Sequence, residues 1–173
     1  MARRSYRRYR RRSKTKWACN IKEFTKNSEV AANATGFFTQ LLCYNPVQTE
    51  NTVSQIFTVK NIDISAWFEV DQSNAANAFE YATWYIMYVP QGMTVTNNYN
   101  IEHPEYIMAM KYQGPPALDS TVPGYNIKVK TRLSRRLQTG DSVVLFGKIT
   151  NTNSSSAYSF NINGIARWNT KAN

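Results

Sequence analysis

Residues 62–70 read Ile62-Asp63-Ile64-Ser65-Ala66-Trp67-Phe68-Glu69-Val70. Ile62, Ile64, Ala66, Phe68 and Val70 fall on one face, and Asp63, Ser65, Trp67 and Glu69 on the other. That is the period of two expected of a half-buried strand. Upstream, Val53–Lys60 is also rich in β-formers and reads as continuous with it. Downstream, residues 79–89 (FEYATWYIMYV) are apolar or aromatic on both faces, which suits a central strand or one buried against a neighbouring subunit. Pro90-Gln91-Gly92 closes that run with turn chemistry. Further strands are expected at 17–25, 36–44, 127–133, 142–150 and 157–168, with Asn45-Pro46, Thr139-Gly140-Asp141 and the run Asn151–Ser156 as turns. One segment, about 104–113, reads as a short helix, with Pro104 and Glu105 suited to a first turn and Gly114 to a stop. Gly114-Pro115-Pro116 and Val122-Pro123-Gly124 then mark a long irregular loop. The expected fold class is all-β: a single antiparallel sandwich or barrel of about eight strands with one short helix in a crossover loop.

The chain has 173 residues, of which 42% are hydrophobic, enough for one domain with its own core. Charged residues make up 18%, below the usual ~25%. The net charge is +10, and its placement matters more than its size. Residues 1–16 hold Arg3, Arg4, Arg7, Arg8, Arg10, Arg11, Arg12, Lys14 and Lys16 and no acid. Removing those nine from the 21 Lys and Arg leaves twelve against eleven acids, so residues 17–173 carry only +1. The chain thus divides into a basic arm, 1–16, expected to stay disordered until bound, and a nearly neutral domain, 17–173.

The arm's chemistry points to nucleic acid. Tyr6 and Tyr9 are threaded through the arginines of RRSYRRYRRR. Arginine forks match phosphate, and tyrosine rings stack on unpaired bases, a pairing suited to a single strand. Sixteen extended residues reach ~50 Å at ~3.3 Å each, so contact needs no fixed geometry, and binding should be sequence-tolerant and salt-sensitive. A nuclear localisation signal or a solubility tail is the plainer reading, and an import signal can coexist in the same residues. A second basic element alternates Ile127, Val129, Thr131 and Leu133 with Lys128, Lys130 and Arg132, and Arg135 and Arg136 follow. It reads as a fixed patch facing the same nucleic acid. The competing reading is a solvated face, or inter-subunit salt bridges to acids such as Glu69 or Asp141.

Other chemistries find little support. Cys19 and Cys43 lack CxxC spacing and His103 is the only histidine, too few ligands for structural zinc, so no metal is expected and the thiols read as reduced. Glu102, His103 and Glu105 make a weak acid–base or metal cluster in which a packing role for His103 is commoner. There is no glycine-rich phosphate loop and no G-x-S-x-G, so neither an enzyme nor a cofactor is expected. No apolar run approaches the ~18–20 residues of a membrane span, and the basic start has no apolar core of a secretory signal. Trp67, Trp84, Tyr85, Tyr88 and Trp168 are read as subunit-interface residues, with ordinary core packing as the alternative.

The segments HPEYIMAMKYQG (103–114), KVKTRLSRRLQTGDSVVLFGKI (128–149), YIMYVPQGM (85–93) and NGIARWNT (163–170) resemble the capsid proteins of small circular, Rep-encoding single-stranded-DNA viruses, the circovirus-like ones above all. The resemblance touches most of the chain after residue 78. It implies an eight-stranded jelly roll, an icosahedral shell of about sixty copies, packaged single-stranded DNA, and a virion protein that enters the host nucleus through an import receptor. By residue, it assigns DNA binding and import to Arg3–Arg12 and interior binding to Lys128–Arg136. About sixty arms bring ~540 positive charges, matching a large share of a genome of roughly one to two thousand phosphates. The arm is short beside many circovirus capsids. Two other classes stay open: a coat protein of a small RNA or satellite virus, and a non-assembling nucleic-acid-binding β-barrel module.

Overall fold

The computed structural model describes residues 16–47, 56–70, 79–114, 124–152 and 157–172. They form β1 (Ala18–Val30), β2 (Ala34–Tyr44), β3 (Phe57–Val70), β4 (Phe79–Val89), α1 (Tyr99–Glu102), β5 (Ile107–Gln113), β6 (Gly124–Thr131), β7 (Arg135–Leu137), β8 (Ser142–Asn151) and β9 (Tyr158–Ala172). One sheet runs β1-β9-β3-β6, with β7 also paired to β3, and the other runs β2-β8-β4-β5. All pairings are antiparallel. Only β4 and β5 are both consecutive in sequence and paired; the other pairings join strands distant along the chain. This order is consistent with a jelly roll.

The alternation in 62–70 is realised in three dimensions. Ile62, Ile64, Ala66 and Phe68 are buried between the sheets, whereas Asp63, Ser65, Trp67 and Glu69 face away. Val53 and the rest of 53–55 lie outside the described residues, but β3 does run unbroken from Phe57 through Val70. Its register slips between Lys60 and Asp63, where Asn61 takes a φ of 52°. A bulge of this kind keeps Val59 and Ile62 on the same buried face.

Aromatic rings join the two sheets. Phe68 on β3 stacks on Tyr125 of β6 at 4.9 Å and on Phe160 of β9 at 5.2 Å, and meets Trp84 of β4 edge-on at 5.7 Å. Phe38 of β2 lies 5.5 Å from Trp84 and 6.0 Å from Phe160. Such pairs are worth about 0.5–1.5 kcal/mol each beyond the area they bury. Gly147 is paired with both Phe38 and Trp84, and a Cβ there would sit 2.0 Å from Phe38 Cε1. The strand between the two rings therefore has no room for a side chain.

The doubly apolar strand 79–89 is central, between β8 and β5. Ala82, Trp84 and Ile86 enter the main core, while Tyr85, Met87 and Val89 join Val144 and Phe146 in a second cluster on the opposite face. Met93, Val95, Tyr99, Tyr106 and Ile107 of the same chain cover that cluster, so the strand's outer face needs no neighbouring subunit to bury it. The interface reading is accordingly corrected for Trp84, Tyr85 and Trp168, which are buried within the chain.

The helix expected over about 104–113 is a strand. Among the described residues, helical backbone is confined to α1 and a single 3-10 turn, Pro104–Tyr106, and β5 follows at once. Pairing with β4 satisfies β5's backbone and lets Met108 enter the core, a tertiary gain that overrides the local helix signals. The β4–β5 connection also stays within one sheet and is not a crossover. His103 takes the packing role, stacked on Tyr106 at 5.3 Å with Nδ1 3.4 Å from Glu105 Oε1. Leu133, expected to face the core, is exposed because β6 ends at Thr131, whose hydroxyl donates to the Met108 carbonyl and accepts from the Leu133 amide. Pro115, Pro116 and Pro123 of the proline-bearing loop, and Ser154–Ser156 of a turn run, lie outside the described residues.

Asp141 is not a partner of the basic strand. Its buried carboxylate accepts from the Tyr88 hydroxyl at 2.7 Å and from the amides of Gln91 and Gln138 at 3.0 and 2.7 Å. Burial, and after it the hydrogen bond to this carboxylate, raises the Tyr88 hydroxyl's pKa well above its ordinary value.

Gly147→Ala should lower stability by about 1–3 kcal/mol through overpacking against Phe38 and Trp84, measurable by urea unfolding. Phe68→Ala should cost about 3–5 kcal/mol in the same assay. The two thiols are free, Cys19 exposed and Cys43 buried, and burial pushes the Cys43 pKa up to about 12. One equivalent of an aromatic disulfide reagent should therefore react quickly in the folded chain at mildly alkaline pH. Cys19→Ser should abolish that fast phase, and the second equivalent should appear only with denaturant.

Candidate nucleic-acid interface

The face of the β1-β9-β3-β6 sheet that points away from the core is where the basic residues of the domain gather. Its composition follows from strand parity: in β6, Tyr125, Ile127, Val129 and Thr131 are buried, so Asn126, Lys128 and Lys130 turn outward. Register then sets their neighbours. Lys130 is paired with Asp63, which is paired with Arg167, and Lys128 is paired with Ser65, which is paired with Ile165. One end of the face carries Thr58 between Lys171 on β9 and Arg136 on β7. Neighbouring strands lie ~4.8 Å apart, so Lys171 and Arg136 flank Thr58 with backbones about 10 Å apart.

Charge is graded along this face. Lys60, Lys128, Lys130, Arg136, Arg167 and Lys171 occupy the half that contains the start of β1, whereas Glu69 and Glu29 sit at the opposite end, level with Asn161 and Ser159. Two acids are set among the cations: exposed Glu23 of β1, paired with Ile165 in the row of Lys128, and Asp63, whose Oδ2 accepts from Lys130 Nζ at 2.7 Å. With both side chains substantially exposed, that pair contributes little to stability and leaves the face net positive. Lys60 Nζ lies 3.8 Å from the Trp17 ring centroid. That cation–π contact fixes the root of the chain beside the cationic half. Lys16, the first described residue, is exposed there. An arm continuing from Lys16 starts next to these cations.

The structure distributes the sequence-nominated residues unevenly. Arg3, Arg4, Tyr6, Arg7, Arg8, Tyr9, Arg10, Arg11, Arg12 and Lys14 lie outside the described residues. Lys128, Lys130 and Arg136 share the face, and Arg132 is exposed just past the end of β6. Arg135 does not share it: β7 turns it to the side of buried Leu137, where its guanidinium lies 5.3 Å from the Tyr88 ring and donates to the Glu105 carbonyl. Lys60, Arg167 and Lys171 were missed. The alternation Arg167, Asn169, Lys171 against buried Ala166 and Trp168 was the available signal, yet nothing in it reveals that β9 lies between β1 and β3. No group of three or more metal-binding side chains converges among the described residues.

No known protein family is matched by this chain, and no curated protein is matched either. Among solved structures, it is similar to a chain of infectious bursal disease virus, Gx strain, at 7% identity and a TM-score of 0.39, over 89% of this chain. This chain spans only 32% of that longer one. It is similar to turnip yellow mosaic virus at 12% identity and a TM-score of 0.37, covering 89% of this chain and 94% of that one. The decameric BFDV capsid protein is similar at 6% identity and a TM-score of 0.27, covering 86% and 99%.

Proposed function

We propose that this chain is a viral coat protein that assembles into a closed icosahedral shell and packages single-stranded DNA through its arginine-rich arm and the cationic face of its five-stranded sheet. The observation that carries the reading is the placement of Trp17, near the first described residue, against Lys60, at the end of the sheet where Arg136, Arg167 and Lys171 also lie. An arginine-rich arm and a fixed cationic plate then meet the same polyanion, the arm's charge adding to the plate's and the plate supplying orientation. The capsid-like segments 85–93, 103–114, 128–149 and 163–170 agree with this reading, as does a topology consistent with a jelly roll. The same arm would engage a nuclear import receptor.

Self-association has its own support. Phe37, Leu41 and Tyr44 are exposed on β2, one edge of the second sheet, and Met110 and Tyr112 on β5, the other edge. Tyr81 stacks on Tyr112 at 6.0 Å and extends the second patch. Unlike patches on opposite edges suit head-to-tail contacts, which close into rings when the rotation permits.

Purified protein should form closed particles visible by negative stain; a chain that stays monomeric at high concentration would refute the proposal. Particles of residues 17–173 should copurify with less than about half the nucleic acid of the full chain, and undiminished content would remove the arm from the mechanism. Nine arm cations on a single strand, at ~0.7 counterions each, predict that deleting the arm flattens the salt dependence of binding by about six logarithmic units per decade. The packaged material should be sensitive to DNase; sensitivity to RNase instead would reassign the cargo.

A further inference from the structure

The cationic face also holds a hollow of about 580 Å³ that the charge argument leaves unused. This lies within the ~300–1,000 Å³ typical of small-molecule sites. Its floor includes Gly164, and Trp67, Ser65, Asn126, Asn163 and Glu23 line it. Trp67 is the unusual member. It sits on the polar side of β3, between Ser65 and Glu69, where a large apolar ring has no core to fill. The ring is braced: a Cβ on Gly124 would lie 2.7 Å from Trp67 Cζ2, so the glycine lets it lie close against β6. No other aromatic ring stacks on Trp67 among the described residues.

We propose that this hollow receives an unpaired base of the bound nucleic acid, stacked on Trp67; the inference rests on the nucleic-acid reading above. Three observations select a base as the occupant. A flat, partly exposed indole braced against β6 offers a stacking surface at small entropic cost. Asn126 and Asn163, both exposed, present amide donors and acceptors that can meet any base edge, which keeps the site tolerant of sequence. Lys128 is paired with Ser65, one row along from Trp67, at ~6.6–6.8 Å in strand repeat, so a phosphate joined to the stacked base has a cation beside it. Glu23, on the far side of the hollow, repels phosphate and orients the strand with its base inward and its backbone toward Lys128.

The test uses the full chain and two strands of about 12 nucleotides, a length within the ~4–16 of single-strand sites. One carries bases and the other is abasic, with the same phosphates. Trp67→Ala should weaken binding of the base-bearing strand by about tenfold and leave abasic binding and the salt slope unchanged. Trp67→Tyr should restore most of the affinity. Equal loss on both strands, or no loss on either, overturns the base site while leaving the nucleic-acid reading intact. Altered particle assembly with unchanged base preference also overturns it, and marks Trp67 as a subunit contact. Failure of the unmodified chain to bind either strand at low salt overturns both proposals. Should Trp67→Ala not fold, Ser65→Leu fills the hollow at a solvent-facing position, and the same selective loss on the base-bearing strand is expected.

Discussion

Two sheets meet through five rings, and the fold depends on that contact. Tyr125, Phe68 and Phe160 lie side by side on one sheet, and Phe38 and Trp84 close on them from the other. The rings come from β2, β3, β4, β6 and β9, spread from residue 38 to residue 160, so they converge only when nearly the whole strand order is in place. Gly147 gives the converse of the same constraint, since β8 must pass between Phe38 and Trp84 without a side chain. Edge contacts and loops can vary around this centre; the spacing of the sheets cannot.

With that spacing fixed, each strand has one face that must be apolar and one that is free, and the two sheets use the freedom differently. The second sheet buries part of its outer face under residues 93–107, forming a small core of its own around Phe146 and Tyr99. The first sheet leaves its outer face open and fills it with lysine, arginine, asparagine and one braced tryptophan. A chain whose domain carries almost no net charge thereby acquires a polarised plate, cationic near its root and acidic at the other end. Segregation of charge, rather than its total, creates the field a polyanion would sense.

Much of this was legible along the chain because strand patterning is a local property. The parity of 62–69 and of 127–131 can be read residue by residue, and both stretches bury the faces their sequences indicate; Leu133, read as the next inward position of the second, is exposed because the strand has already ended. The segment 104–113 was misread for a physical reason: Pro104, Glu105 and Gly114 carry genuine local helix signals, and only the open edge of β4 makes an extended conformation the better one. The aromatic strand 79–89 was ambiguous for a similar reason, because apolar character on both faces says that something covers each side but not what.

The amino-acid sequence by itself determined the all-β class, the cut between a polycationic arm and a neutral domain, and the outward turn of Lys128 and Lys130. These depend on composition and on the two-residue repeat of an extended backbone. Tertiary structure decided which strands lie side by side, and so placed Lys60, Arg136, Arg167 and Lys171 on one plate, turned Arg135 off it, and set Trp67 against Gly124. Register between strands whose paired residues are up to 152 positions apart, as Ala18 and Thr170 are, is fixed by long-range packing of the two faces, and no local pattern encodes it.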